Sequence, residues 1–232
     1  MDPFTSQDRA ALCDAARVVS ESGLVVGSAG NLSVRSGDGD HLLITPMGAR
    51  LPAIAPDDLV CVALADGAVD PGHARTSRPS SETPLHRAVY AAAPDTLTAI
   101  VHTHSTYATA LAAVVAELPA VHYVASAFGG PVRVAPYATY GSDELAAGVA
   151  AALDGRSAAL MANHGAVALG TSAAHAVEQA RQLEWWASVY WHARVFAGQG
   201  GEPAILSDAQ LADVAEQHRA LRYSDAAATD TR

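Results

Sequence analysis

His102 and His104 stand two residues apart at the end of the apolar run in "AIVHTHSTYATALAA", residues 99–113. On a strand, residues i and i+2 project to the same face, so the pair could offer two imidazoles to one metal ion. Zinc accepts neutral imidazole nitrogens, and a catalytic zinc site needs three protein ligands and an open position. Taken alone, the two-residue spacing more often belongs to two surface or hydrogen-bonded histidines. A third ligand must come from another segment. His164 in "MANHGAV" falls at a tight turn between two apolar stretches. It is either a satisfied turn residue or a ligand that the turn presents, and Gly165 lets such a turn approach a neighbouring segment closely. Glu82 in "SSE" is the fourth candidate, as a ligand or as a partner for a helix dipole.

These residues need elements to bring them together. "SQDRAALCDAARVVSESG" has helical periodicity, with Ser6 as the expected N-cap and Gly23 just past the end. "NLSVR" and "HLLIT" read as strands joined by a hairpin-like turn at residues 36–40, and "APDDLVCVAL" as a short turn and a strand. "DGAVDPGHARTSRP" is irregular. "SSETPLHRAVYAAAP" is expected to be a helix whose first turn holds Ser80, Ser81 and Glu82, with Pro94 closing it. "LTAIVHTH" is the strand that delivers the two histidines, and "TYATALAAVVAE" a helix after it. "GPVRVAPY" is a strand. "SDELAAGVAAALDG" is a helix capped by Ser142, with Gly155 past its end. "SAALMANHGAVALG" is a strand, a turn at residues 163–165 and a second strand. A long helix over "SAAHAVEQARQLEWWASVYWHARVFAG" and a last helix capped at Ser207 complete the chain. Interleaved strands and helices give an α/β class, and the two hairpin turns demand antiparallel pairs. The expected architecture is three-layer α/β/α, with a mixed, largely antiparallel central sheet. Neither GxGxxG nor GxxxxGK[ST] is present.

The 232 residues are half hydrophobic and carry a formal net charge of −10. One core and one domain over residues 1–232 are expected. Residues 1–5, "MDPFT", could be a cloning remnant, and residues 224–232 have the composition of a disordered tail. An acidic chain without a Lys/Arg cluster is a poor nucleic-acid binder. No stretch approaches the ~20 apolar residues of a membrane span, and the start lacks the basic and apolar regions of a signal peptide. A cytoplasmic protein with no membrane or nucleic-acid partner is expected. Cys13 and Cys61 are far apart, and both are expected to be buried free thiols.

Seven segments occur together in order: "GSAGNLSVR", "LLITPMG", "RPSSETPLH", "AIVHTHSTYATALA", "LPAVHYVASAFGG", "APYATYGSDEL" and "MANHGAVALG". In this combination the chain resembles the class II aldolase/adducin family, over nearly its whole length. The resemblance implies that His102, His104 and His164 hold one divalent metal, normally Zn2+, with Mn2+, Co2+ or Fe2+ as alternatives. The ion would act as a Lewis acid on a dihydroxyacetone-phosphate unit. Glu82 matches the family's catalytic carboxylate. It would ligate the metal at rest and, with substrate bound, move the proton that accompanies enediolate formation. The epimerase branch typically has aspartate there, so glutamate favours the aldolase branch.

The resemblance further implies a substrate-phosphate pocket of Ser28, Gly30, Asn31, Thr45, Gly48, Ser80 and Ser81, with Met47 replacing a small polar residue. Tyr123 matches a tyrosine that reaches into the neighbouring subunit's site and handles the proton on the aldehyde oxygen. A second family tyrosine, near the C-terminus, is replaced by Leu221, with Tyr223 two residues later. A homotetramer with sites at subunit interfaces is implied. The implied activity is cleavage of a ketose 1-phosphate, such as L-fuculose 1-phosphate or a deoxy-pentulose phosphate, to dihydroxyacetone phosphate and an aldehyde. The alternatives are a decarboxylase, dehydratase, epimerase or non-haem iron oxygenase of the same fold, or a non-catalytic adducin-like interaction module. His41, His73, His86, His122, His175, His192 and His218 have no partner at a suggestive spacing. Trp185, Trp186, Tyr190 and Trp191 are expected to pack the core and a subunit interface, and Glu184 is a candidate second partner for a ligand histidine.

Overall fold

The computed structural model describes residues 2–70, 77–198 and 200–221. Tyr223, His73 and the expected tail lie outside them. Among the described residues, eight strands form one sheet: β1 (Asn31–Arg35), β2 (His41–Ile44), β3 (Val60–Ala63), β4 (Ala99–Thr103), β5 (Glu117–Leu118), β6 (Val132–Ala135), β7 (Ala158–Met161) and β8 (Gly165–Gly170). Their spatial order is β3-β2-β1-β4-β8-β7-β6-β5. Only the β6–β7 pair is parallel. The helices are α1 (Ser6–Glu21), α2 (Thr83–Ala92), α3 (Thr106–Ala112), α4 (Asp143–Ala152), α5 (Ala173–Ala197) and α6 (Asp208–Ala220).

The layers follow from the two-residue period of the strands. Leu42, Ile44, Ile100, Ala159, Met161, Val167 and Leu169 face one way and pack against Leu85 and Val89 of α2 and Leu145 and Val149 of α4. The alternate residues Leu32, Leu43, Ala99, Val101 and Ala168 face the opposite way, onto α1 and the first turns of α5. Farther along, Ala158, Leu160 and Ala166 pack with α3 and with Trp186 of α5. The mixed, mainly antiparallel sheet between two helical layers is the expected architecture. Asn31, Ser33 and His102 share the parity of Ile100, so they face the α2 side.

Several boundaries differ from the sequence expectation. Thr5, not Ser6, caps α1, because Asp8 completes a capping box with it. Phe4 just before it is buried in the core. α3 stops at Ala112 rather than running to Glu117. The β-branched pair Val114 and Val115 follows, and Glu117 and Leu118 pair instead with Arg133 and Val132. α2 begins at Thr83, not Ser80. The Ser80 N–H donates to the Thr45 carbonyl, and Pro46 bridges Pro79, which ties this segment to the loop after β2. Ser80, Ser81 and Glu82 therefore form the approach to the helix, with Glu82 at the N-cap position. Cys61 is buried and Cys13 only half-buried; both are free thiols. No helix among the described residues is long and apolar enough to cross a membrane.

Candidate metal centre

Four elements converge on one point. β4 carries His102, and the chain leaving it carries His104, whose N–H donates to the Leu24 carbonyl. The tight β7–β8 turn carries His164, with Asn163 in the left-handed region at φ 55°. The approach to α2 carries Glu82. One ligand atom from each of these four residues lies within 4.8 Å of the other three. His102 Nε2 is 2.9 Å from His104 Nε2 and 2.9 Å from Glu82 Oε2, and His164 Nε2 is 3.4 Å from Glu82 Oε1. The three rings stand edge to face, with centroids 4.7 to 4.9 Å apart. The β4–β8 pairing permits this only because residue 165 is glycine: a Cβ there would lie 2.1 Å from the Thr103 carbonyl oxygen.

The donor set suits a cation. His102 Nδ1 donates to the Ala166 carbonyl at 3.0 Å, so Nε2 is the ring atom left to face His104 and Glu82. Burial, with His102 and His164 alongside, pushes the His104 pKa down to about 4. Burial and His102 lower His164 as well. Both are therefore neutral at pH 7, as metal ligation requires. Burial acts to raise the Glu82 pKa; positive charge at His102, the Asn31 N–H and positive charge at His164 act to lower it, and where that charge is present the carboxyl lies below the usual carboxylate range. Glu82 Oε1 is buried without a hydrogen-bond partner. Lone pairs crowded together beside an orphaned carboxylate oxygen are the arrangement a divalent ion would satisfy.

The centre lies beside a cavity of about 380 Å³. Ser28, Gly30, Asn31, Gly48, Ser80 and Ser81 all line it, together with Met47, Tyr137 and Tyr140. Thr45 is not in that lining. It is buried, and its Oγ1 accepts from the Leu32 N–H at 3.1 Å, so its role here is to tie β1 to the loop after β2. Asn31 Nδ2 donates to Glu82 Oε2 at 2.9 Å. Tyr123 is exposed on a 3-10 turn, 4.2 Å from the His122 ring, and does not line the cavity of its own chain. Glu184 does not touch a ligand histidine. Its carboxylate accepts from the Tyr107 and Ala108 N–H groups at 2.8 and 2.9 Å and so caps α3, which follows His104. Leu221 ends α6, exposed to solvent. Sequence reasoning set His86 aside. The structure buries it completely beneath the centre, 2.5 Å from Asn31 Oδ1. Its signal was the four-residue step from Glu82 to His86 to Tyr90, which places all three on one helix face.

A sequence profile described as "Class II Aldolase and Adducin N-terminal domain" matches residues 10–191. The chain belongs to the class II aldolase and adducin family. Its similarity to individual members extends along most of its length. It is 41% identical over 213 residues to a 5-methylthioribulose-1-phosphate/5-deoxyribulose-1-phosphate aldolase of Rhodospirillum rubrum, covering 91% of this chain and 90% of that protein. It is 36% identical over 197 residues to a 5-deoxy-D-ribulose 1-phosphate aldolase of Bacillus thuringiensis serovar kurstaki, covering 84% and 88%. A solved structure of an L-fuculose 1-phosphate aldolase superposes with a TM-score of 0.86 at 36% identity, covering 93% of this chain and 98% of that one. The three imidazoles and Glu82 thus sit in a chain whose family includes metal-dependent aldolases.

Proposed function

We propose that the protein is a zinc-dependent aldehyde-lyase that splits a ketose 1-phosphate into dihydroxyacetone phosphate and an aldehyde. The observation that carries this reading is the convergence of three imidazoles and a partnerless carboxylate oxygen beside a cavity lined with hydroxyl and amide groups. His102, His104 and His164 would hold the ion, with Glu82 as a fourth ligand at rest. The chemistry such an ion supplies when bound is Lewis-acid stabilisation of the negative oxygen of the three-carbon fragment.

The remaining work falls to the chain. Ser28, Asn31, Ser80 and Ser81 supply hydrogen-bond donors for the phosphate, and the glycines at 30 and 48 let backbone approach it. In cleavage the C4 hydroxyl loses a proton, the C3–C4 bond breaks, and its electron pair stays on the three-carbon fragment as an enediolate. A proton must then be added at C3, so protons balance overall. Glu82 is the carboxyl placed to carry it. Tyr123 of the partner subunit would handle the proton on the aldehyde oxygen in a homotetramer. The relatives of this chain that are named for 5-deoxy and 5-methylthio substrates favour a ketopentose 1-phosphate with an apolar C5 end.

The test is release of dihydroxyacetone phosphate from 5-deoxyribulose, 5-methylthioribulose and L-fuculose 1-phosphates by zinc-loaded protein, with and without chelator. Release is expected from at least one pentulose phosphate and is abolished by chelator. Zinc-loaded protein that cleaves none of the three would overturn the proposal.

A further inference from the structure

A continuous line of buried side chains runs from the metal centre into the core between the sheet and α2. Asn31 sits opposite His102 in the β1–β4 register, and Ser33 opposite Ile100. Glu82, His86 and Tyr90 descend the facing side of α2 in four-residue steps. Asn31 Nδ2 donates to Glu82 Oε2 at 2.9 Å. His86 Nε2 lies 2.5 Å from Asn31 Oδ1, His86 Nδ1 lies 2.7 Å from Ser33 Oγ, and Ser33 Oγ lies 3.0 Å from Tyr90 Oη. Tyr90 also reaches the Thr98 carbonyl at 3.3 Å.

Donor and acceptor roles along this line are determined from one end. Ionised Glu82 only accepts, so the Asn31 amide must turn its NH2 toward it and its oxygen toward His86. His86 must then donate through Nε2, and its Nδ1 must accept from the Ser33 hydroxyl. Tyr90 completes the line by donating to Ser33 or to the Thr98 carbonyl. The reversed amide would set Asn31 Oδ1 against Glu82 Oε2 at the same short distance, acceptor against acceptor. It would also turn the NH2 toward His86 Nε2, which would then have to accept, with the ring proton moved to Nδ1 and donated to Ser33. A buried acceptor set against an acceptor leaves both without a donor, which disfavours the reversed amide.

We propose that His86, backed by Ser33, is a positioning residue. It locks the Asn31 amide with its N–H toward Glu82 and so holds the Glu82 carboxylate at the three-histidine cluster. His86 is completely buried, and both of its ring nitrogens are engaged, Nε2 by Asn31 and Nδ1 by Ser33. His86 touches neither the cavity nor a ligand histidine. Its side chain reaches the Glu82 carboxylate through Asn31, and its kinetic consequence rests on the aldolase reading.

The test compares His86→Leu and His86→Gln by two readouts. The first is Zn2+ affinity, measured by competition with a chromophoric chelator. The second is the split between kcat and KM for the pentulose phosphate. Groups that orient metal ligands typically contribute 10–100-fold to affinity. His86→Leu should therefore bind Zn2+ about 10-fold more weakly or worse and lose about 10-fold or more in kcat, with KM rising as well because Asn31 also faces the phosphate pocket. His86→Gln can place an amide donor against Asn31 Oδ1, and should recover to within about 3-fold of wild type on both readouts. A His86→Leu protein indistinguishable from wild type overturns the proposal. So does a His86→Gln protein as impaired as His86→Leu, because that pattern reports packing alone. If His86→Leu does not fold, Ser33→Ala decides. It removes the donor to Nδ1 at almost no cost in volume, and should weaken Zn2+ binding about 3- to 10-fold; unchanged affinity refutes the proposal. A wild-type protein that cleaves no ketose phosphate defeats the aldolase reading, while the affinity comparison still tests His86.

Discussion

At the scale of single residues, the centre depends on histidines kept neutral by burial, and this gives stability a definite pH dependence. His86 titrates near 6.5 in an unfolded chain, but only near 3 in the fold. Glu82, His102 and Tyr90 are the titratable groups around it. Between those two pH values the unfolded chain binds a proton that the folded chain refuses, so stability falls as pH falls through that window. His104, depressed to about 4, acts in the same direction over the upper part of it. Metal-free wild-type protein should therefore lose denaturant stability steadily below about pH 6.5. His86→Gln removes one titrating group while keeping a donor. Its loss between pH 7 and pH 5, measured by urea unfolding, should be smaller by about 2 kcal/mol. Equal losses in the two proteins would show that His86 is protonated in the native state. The sequence signal of His86, its four-residue step from Glu82, was too common to single it out. A histidine four residues from a glutamate on an amphipathic helix has the pattern of any half-buried polar residue. Only the β1–β4 register puts Asn31 and Ser33 beneath it.

At the scale of elements, most of the fold was legible because the local signals agree with one another. Alternating strands, the turns at residues 36–40 and 163–165, and caps at Ser142 and Ser207 all appear where their chemistry predicts. Apart from the α1 cap, which Asp8 moves locally to Thr5, the failures have one origin, a partner distant in sequence. α3 ends early because residues 117–118 are taken by β6, and α2 starts late because Ser80 is tied to Thr45. In each case a long-range backbone bond overrides helix propensity. Gly165 belongs to the same class, since nothing local announces that the Thr103 carbonyl will occupy the space of its Cβ. Gly165→Ala should force β4 and β8 apart beside His102, costing about 1–3 kcal/mol of stability, and should weaken Zn2+ binding by at least about 10-fold, as expected when a ligand's support is displaced. Gly155→Ala is the control. It has φ of 65° and open space around a Cβ, so it should cost about 1 kcal/mol and leave Zn2+ affinity unchanged. Denaturation midpoints and chelator competition on both variants check the pair, and a Gly165→Ala protein with wild-type affinity would show that the strand contact does not set the ligand geometry.

At the scale of the whole molecule, α5 divides its aromatic residues between the core and the surface. Trp186 and Tyr190 of α5 are buried in the core, whereas Trp185, Trp191 and Phe196 are exposed, Phe196 at 87%. Trp185 stands edge-on to His122, which in turn packs on exposed Tyr123. Exposed aromatics grouped in this way suit an interface between subunits. The proposed homotetramer would cover such a surface and carry Tyr123 to the site of an adjacent chain, and light scattering should then give four times the 23.8 kDa chain mass. A mixing experiment tests the sharing of sites directly. Glu82→Gln and Tyr123→Phe should each be nearly inactive as pure proteins, because each lacks one proton-handling group in every site. Subunits exchanged between the two should form sites that combine an intact Glu82 from one chain with an intact Tyr123 from its neighbour. With random exchange at equal amounts, about a quarter of the sites would be complete, so activity should return to roughly that fraction of wild type. If each chain served its own site with its own Tyr123, no complete site could form by mixing, and activity would stay at the level of the separate variants.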